Sequence, residues 1–359
     1  MEAIEGAMLK RIAFISAFVC SALLQAQVLN GVGSTSQYSL FSEWSKRYKK
    51  VSPAVKLHYT PTGSARGVEE FLEGNADFVA THEMLTDTQL KSGSQKLGGD
   101  ILQVPMVLGA VVPIYTIDGV DVELKFTGAA LAGIYLGKIT KWNDSEIADA
   151  NPGVTLPNAT IKVVHRSDES DTTYMWTEYL SAISPEWKAG PGKGLNVKWP
   201  TGLGVKGDDG VEDLVVGPRL VNPRIDDLPA SISNSIGYVQ LHYAIEHNLP
   251  YGDVENGSGE FTRATGSSLM AEATSAARET PNAFRQSLAG VPSPIGYPIS
   301  SFTWILVPAD MRDKAKAKAM SDFLKWMLND GQNDAAELRY VRLPTAIVEN
   351  AAAEAAKLH

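Results

Sequence analysis

The chain has 359 residues, 44% of them hydrophobic, and a formal charge of −9 at neutral pH. That length exceeds the usual single-domain range, and the apolar content is enough for two conventional cores. The acidity, with no basic cluster beyond KRYKK at 46–50, excludes a nucleic-acid binder that reads a backbone through a basic stripe, but not an anion site, which works through local dipoles and hydrogen bonds.

At the N-terminus, Lys10-Arg11, the apolar run Ile12 to Leu24 and the small residue Ala26 read as a secretory signal over 1–26. Glu2 and Glu5 make Met8 a better start than Met1 for such a signal. The run is too short to span a bilayer. The one cysteine, Cys20, lies inside it and follows Val19 where a lipoprotein signal would want a small residue, so the mature chain is expected to carry no lipid anchor, disulfide or thiol nucleophile. A soluble, exported protein is the expectation.

Val28-Leu29 lead into GVGSTS at 31–36 and then a helix over 37–50, on which Tyr38, Phe41, Trp44 and Tyr48 share a face. Val55, Leu57 and Tyr59 mark a second strand, followed by PTGSARGV at 61–68 and a helix over 67–73. A strand at 77–81 and a short helix near 86–91 come next. This alternation predicts an α/β fold with a mostly parallel sheet. The apolar 101–117, interrupted by Pro105 and Pro113, reads as chain passing between two cores.

A second set of elements follows: a helix over 128–137, a turn and short helix over 141–152, a strand over 160–166 and a helix over 172–183. Beyond them lie a Gly/Lys/Pro-rich stretch at 186–210, a Pro/Asp-rich surface excursion at 217–232 and a further element at 235–249. A strand at 302–310 and helices within 311–330 and 345–357 are expected to rejoin the first domain.

The chemistry concentrates at 163–180. Ile161, Val163 and Val164 read as the buried end of a strand, and Thr172 onward as a helix whose first N–H groups lack intrahelical partners. Those donors, the helix dipole, the Ser170 and Thr172 hydroxyls and the Arg166 fork favour a small oxyanion, with Asp168 placed to hold the guanidinium. One such loop by itself reads more readily as an ordinary helix cap beside a surface Arg. The loops at 31–36 and 61–68 have the same strand, turn and helix-start form, and three of them in one chain point to convergence on one ligand.

The chain lacks the GxGxxG, GxxxxGK[ST], HExxH and GxSxG motifs. A hydrolase-like triad from His82 or His165 with Ser170 and Asp168 is set against the anion-donor role of that serine, and a metal site from His82, Glu83, Asp168 and Asp171 against an ion-pair network around Arg166.

Laid out in this way, the chain resembles the periplasmic phosphate-binding proteins of ABC transporters. The strings that carry the likeness are GVGSTS, LAGIYLGKITKWND, ANPGVTLP, VKWPTGLGVKGDDG, SIGYV and RLPTAIVE. The resemblance implies a type II solute-binding fold: lobe I from 27–106 and 299–359, lobe II from 107–298, and two crossings. It further implies a monomer without cofactor or metal that grips inorganic phosphate, or another oxyanion such as sulfate, arsenate or a phosphonate, and delivers it to a membrane permease or serves in phosphate sensing. By position, Thr35, Ser64, Arg166, Asp168, Ser170 and Thr172 match the family's binding residues. His82 replaces an Asp, Asp171 a Gly and Ser36 an aromatic residue, while Arg66 is an added cation; these departures leave the choice of anion open.

Overall fold

The computed structural model describes residues 26–217, 232–279 and 287–359. The expected signal lies outside the described residues except for Ala26, and so does nearly all of the 217–232 excursion.

The first elements are β1 (Gln27–Gly33), a 3-10 turn (Thr35–Gln37), α1 (Tyr38–Val51), β2 (Val55–Thr60), α2 (Ser64–Leu72), β3 (Phe78–Thr81), α3 (Asp87–Leu97) and β4 (Ile101–Thr116). The alternation of β2 turns Val55, Leu57 and Tyr59 inward while the residues between them face out. Against that face α1 buries Leu40, Phe41, Trp44 and Tyr48, and the Phe41 ring stacks on Tyr59 with centroids 4.3 Å apart. Truncating a side chain as enclosed as Trp44 costs about 3–5 kcal/mol.

Helix α2 starts earlier than the apolar pattern predicts, because Gly63 with φ 87° turns the chain directly into it. Its Gly67 then packs on the backbone of Gly33: a Cβ there would lie 2.4 Å from the Gly33 Cα. No side chain fits between them, so the start of α2 is pressed against the end of β1.

The middle of the chain forms β5 (Lys125–Phe126), α4 (Gly128–Tyr135), α5 (Ser145–Ala148), β6 (Lys162–Arg166), α6 (Asp171–Ile183), α7 (Pro185–Ala189), β7 (Leu203–Val205) and α8 (Gly207–Val215). The 235–249 segment divides into β8 (Ser235–Gln240) and α9 (Leu241–Glu246). Then come β9 (Asp253–Glu255), β10 (Phe261–Thr262), α10 (Gly266–Glu279), β11 (Ser300–Pro308), α11 (Lys314–Leu328), α12 (Asp330–Glu337) and α13 (Thr345–Ala355).

Eight strands join in the order β2-β1-β3-β11-β4-β8-β6-β7, with a small β10-β9-β5 sheet beside them. The 101–117 segment is one 16-residue strand despite its two prolines. Its first part, Ile101–Ala110, pairs antiparallel with β11, and its second part, Val111–Thr116, pairs antiparallel with β8. Pro105 is accommodated where the β11 register shifts between Thr303 and Trp304. One strand therefore belongs to both lobes.

The tail does return to the first lobe: β11 inserts between β3 and β4, and the Trp44 indole donates to the Gly331 carbonyl at 3.0 Å. Strands β1, β2 and β3 run parallel, and β6 runs parallel to its neighbours β7 and β8. Binding sites in open α/β sheets form beyond the carboxyl ends of such strands. Here those ends are followed by Ser34, the turn into Ser64, His82 and the loop after Arg166.

Candidate functional site

Three short connections of the first lobe meet at one point. Gly33, with φ 128° and a Cβ position 2.1 Å from the Ala80 carbonyl oxygen, turns the chain so that Ser34 is fully buried. Tyr59 donates its hydroxyl to the Ser34 carbonyl at 2.7 Å and fixes that turn. Ser64 is the first residue of α2, and His82 directly follows β3.

All three side chains face a carboxylate from the other lobe. Ser34 Oγ donates to Asp171 Oδ2 at 2.5 Å, Ser64 Oγ donates to Asp171 Oδ1 at 2.6 Å, and His82 Nδ1 stands 3.5 Å from Oδ2. His82 is held from behind, its Nε2 lying 2.9 Å from Thr303 Oγ1. Asp171 opens α6, and its neighbour Ser170 caps that helix by accepting the Thr172 N–H at 3.1 Å. Burial pushes the Asp171 acid up, but His82 and the two serine hydroxyls outweigh it and hold the group below the ordinary carboxylate range. Asp171 is therefore a buried anion clasped by hydroxyls of the opposite lobe.

Arg166 ends β6 and is satisfied within its own lobe. Asp168 takes it bidentately, Nε to Oδ1 at 2.7 Å and NH2 to Oδ2 at 2.5 Å, while NH1 donates to Asp208 Oδ1 at 2.5 Å. Asp208, in the first turn of α8, also accepts from the Gln240 N–H at 3.0 Å and the Thr172 hydroxyl at 3.3 Å. Burial would lower the Arg166 pKa, yet the two carboxylates raise it overall. Burial raises the Asp168 acid, but Arg166 brings it down to a net lowering, whereas at Asp208 burial prevails.

The remaining residues singled out in the sequence fall around this pair of clusters. Thr35 is exposed, and Ser36 is half-buried with its hydroxyl 2.9 Å from Ser34 Oγ. Together with Arg166, Thr172, Asp208 and Tyr243 they border a cavity of about 230 Å³ that opens beside Asp171. Arg66 points outward and pairs with Glu70 one turn along α2. His165 stacks on Trp199 with centroids 4.6 Å apart, on the opposite side of β6 from the Arg166 side chain, and Ser170 is used as a helix cap. Ser34 and Asp208 were not singled out in the sequence. Ser34 lies within the GVGSTS loop, but which of its three hydroxyls turns inward depends on the positive φ of Gly33; Asp208 is 42 residues from Arg166.

A second contact between the lobes lies beside the first. His242 of α9 stacks on Tyr340 of the returning tail, centroids 5.0 Å apart, and Tyr340 donates to the Ser36 carbonyl at 2.5 Å. Burial, reinforced by the neighbouring His82 and His247, pushes His242 down to about 4, so its imidazole is neutral in ordinary conditions.

Residues 21–331 match the model of the PBP superfamily domain. A phosphate-binding protein PstS of Xylella fastidiosa is 36% identical over 322 residues, covering 89% of this chain and 83% of that protein. The chain belongs to the PstS family of phosphate-binding proteins. PstS of Pasteurella multocida is 35% identical over 92% of this chain and 90% of its own length. Among solved structures, a putative phosphate ABC transporter substrate-binding protein with bound phosphate from Clostridium perfringens superposes with a TM-score of 0.59 at 18% identity, covering 89% of this chain and all of that one. At that identity the likeness speaks for the fold, which is the two-lobed α/β architecture of periplasmic phosphate-binding proteins. Within the PstS family frame, the cleft between the lobes is the place to look for the ligand.

Proposed function

We propose that this protein is an exported solute-binding protein that captures inorganic phosphate, or a closely similar oxyanion, between its lobes for uptake by an ABC permease. The relatives that cover most of the chain carry the name phosphate-binding protein. The observation that carries the reading is local: Ser34, Ser64 and His82, brought together by three turns of one lobe, close around the two oxygens of an anionic group. A cradle that fits a carboxylate through hydroxyl donors supplies what a tetrahedral oxyanion also needs. Thr35, Ser36, Arg166, Ser170 and Thr172 line the cavity beside Asp171, the guanidinium positioned there by Asp168 and Asp208.

In this reading the lobes move about the crossings at 105–110 and 295–300, with lobe I from 27–106 and 299–359 and lobe II from 107–298. The signal over 1–26 directs export. Among the described residues no helix is long and apolar enough to cross a membrane. The protein acts as a receptor, with no reaction assigned to its histidines or serines.

Isothermal titration with phosphate, sulfate, arsenate and a phosphonate tests the assignment. Saturable one-to-one binding of phosphate is expected, and it should be lost or severely weakened in Arg166→Ala. Absence of binding by all four anions sinks the reading.

A further inference from the structure

We propose that Asp171 is a tethered occupant of the anion cradle: its carboxylate holds the two lobes together without ligand, and a free anion enters only by displacing it. The inference rests on the cradle being the anion site and adds to that reading who occupies it at rest.

Four observations lead there. First, the Asp171 carboxylate uses the inward-facing hydroxyls of the first lobe, one oxygen on Ser34 at 2.5 Å and the other on Ser64 at 2.6 Å, with His82 Nδ1 at 3.5 Å. Two anions cannot share those donors, since each hydroxyl has one proton to give. Secondly, the carboxylate comes from the opposite lobe, on the first residue of α6. The contacts that satisfy it therefore disappear when the lobes part, so it favours the closed arrangement and not merely a local fold.

Thirdly, among the described residues the cation that shares the loop and cavity of Asp171 is not free to pair with it. Arg166 is taken by Asp168 and Asp208. A buried carboxylate is costly unless hydrogen-bonded, and the serines of the other lobe meet that need. Fourthly, the cavity of about 230 Å³ beside it gives the side chain somewhere to go when an incoming anion takes its donors. Asp209 borders that space beside the Arg166–Asp208 pair and disfavours the swung-out position, which returns the carboxylate to the cradle once the anion leaves.

A group tethered this way competes at an effective concentration of about millimolar or above, which lowers the apparent affinity for any free competitor without altering the cradle. Asp171 thus sets a threshold: the protein loads only when external anion outcompetes its own side chain.

The test combines small-angle scattering and titration on wild type, Asp171→Gly and Asp171→Asn, each first shown to be folded by circular dichroism. Without added anion, wild type is expected to be compact and Asp171→Gly measurably more extended, closing on addition of phosphate. Phosphate affinity should rise at least about tenfold in Asp171→Gly. Asp171→Asn, which keeps the shape but not the charge, should fall between the two in both measurements. The proposal is overturned if Asp171→Gly without anion is as compact as wild type, or if phosphate binds it no more tightly. Should no oxyanion bind either protein, the phosphate reading fails, while the scattering comparison without anion still decides whether Asp171 holds the lobes shut.

Discussion

Arg166 and Asp171 are five residues apart at the two ends of one loop, and the fold treats them in opposite ways. The cation is neutralised by two carboxylates of its own lobe, so its bonds survive any movement of one lobe against the other. The anion is satisfied by two hydroxyls from across the cleft, with an imidazole 3.5 Å away, so its bonds exist only when the lobes meet. Charge alone does not distinguish a scaffold from a switch; what distinguishes them is whether the partner rides on the same rigid body.

The sharpest way to break this comparison is to remove the cation. Arg166→Ala leaves Asp168 and Asp208 facing each other without compensation, and losing one partner of such a cluster is expected to cost about 3 kcal/mol of stability in addition to anion binding. Urea unfolding followed by tryptophan fluorescence reads the stability. A variant as stable as wild type would show that the cluster is not structural.

Next in size is His82→Asp, which would place a second carboxylate against Asp171 where the imidazole Nδ1 now stands 3.5 Å away. Like charges at that range destabilise one ionised form, so this variant without anion is expected to scatter as an opened molecule at neutral pH. If it remains as compact as wild type, His82 contributes nothing to the contact between the lobes.

Smaller and more discriminating is the pair Ser64→Ala and Thr35→Ala. Ser64→Ala removes a hydrogen bond to a charged group, about 1.5–3 kcal/mol of the closed arrangement. Thr35→Ala should leave the anion-free shape unchanged, because Thr35 borders the cavity and is exposed. Equal effects of the two on anion-free compactness would erase the distinction between the cradle and the open cavity.

The mildest perturbation is acid. Asp171 is held below its ordinary value of 3.8, so its contribution to closure is present above that value and is lost as pH falls through the lowered pKa. Asp171 should therefore hold the lobes closed down to about pH 4 and release them only below. An acid titration by scattering, repeated on Asp171→Asn, checks this: loss of closure well above pH 4 in wild type would assign it to another group.

Much of the fold was legible because its helices and strands obey simple periods. The α1 face of Phe41, Trp44 and Tyr48 and the alternation of β2 follow from where apolar residues recur. The two prolines of 101–117 concealed a continuous strand, since the bulge that accommodates Pro105, an extra residue at Met106, shows only in the pairing of this strand with the distant Thr303 and Trp304 of β11. The two-residue and three-residue strands β5, β9 and β10 are too short to show any period.

At the candidate site, the pairing of Arg166 with Asp168 could be anticipated from two positions in one loop, whereas that with Asp208 needed the turn after β7 to be brought alongside. Position matching picked out Asp171 and His82 as departures that could pair across the closed cleft, and they do stand 3.5 Å apart, but it did not pick out the serines that hold the carboxylate. Its meeting with Ser34 and Ser64, 137 and 107 residues away, is a property of two lobes in contact and leaves no mark on local sequence.

The insertion of β11 between β3 and β4 bears on how the molecule is made. The first lobe's sheet lacks an interior strand until residues 300–308 have been synthesised, although its other strands are complete by residue 116. Pairings between segments so distant in sequence form slowly, because the loop between them must be closed first. A nascent chain thus keeps its first lobe unfinished until almost the last turn of synthesis. For a protein proposed to be threaded through a membrane, that delay keeps the polypeptide pliable until its far end is through.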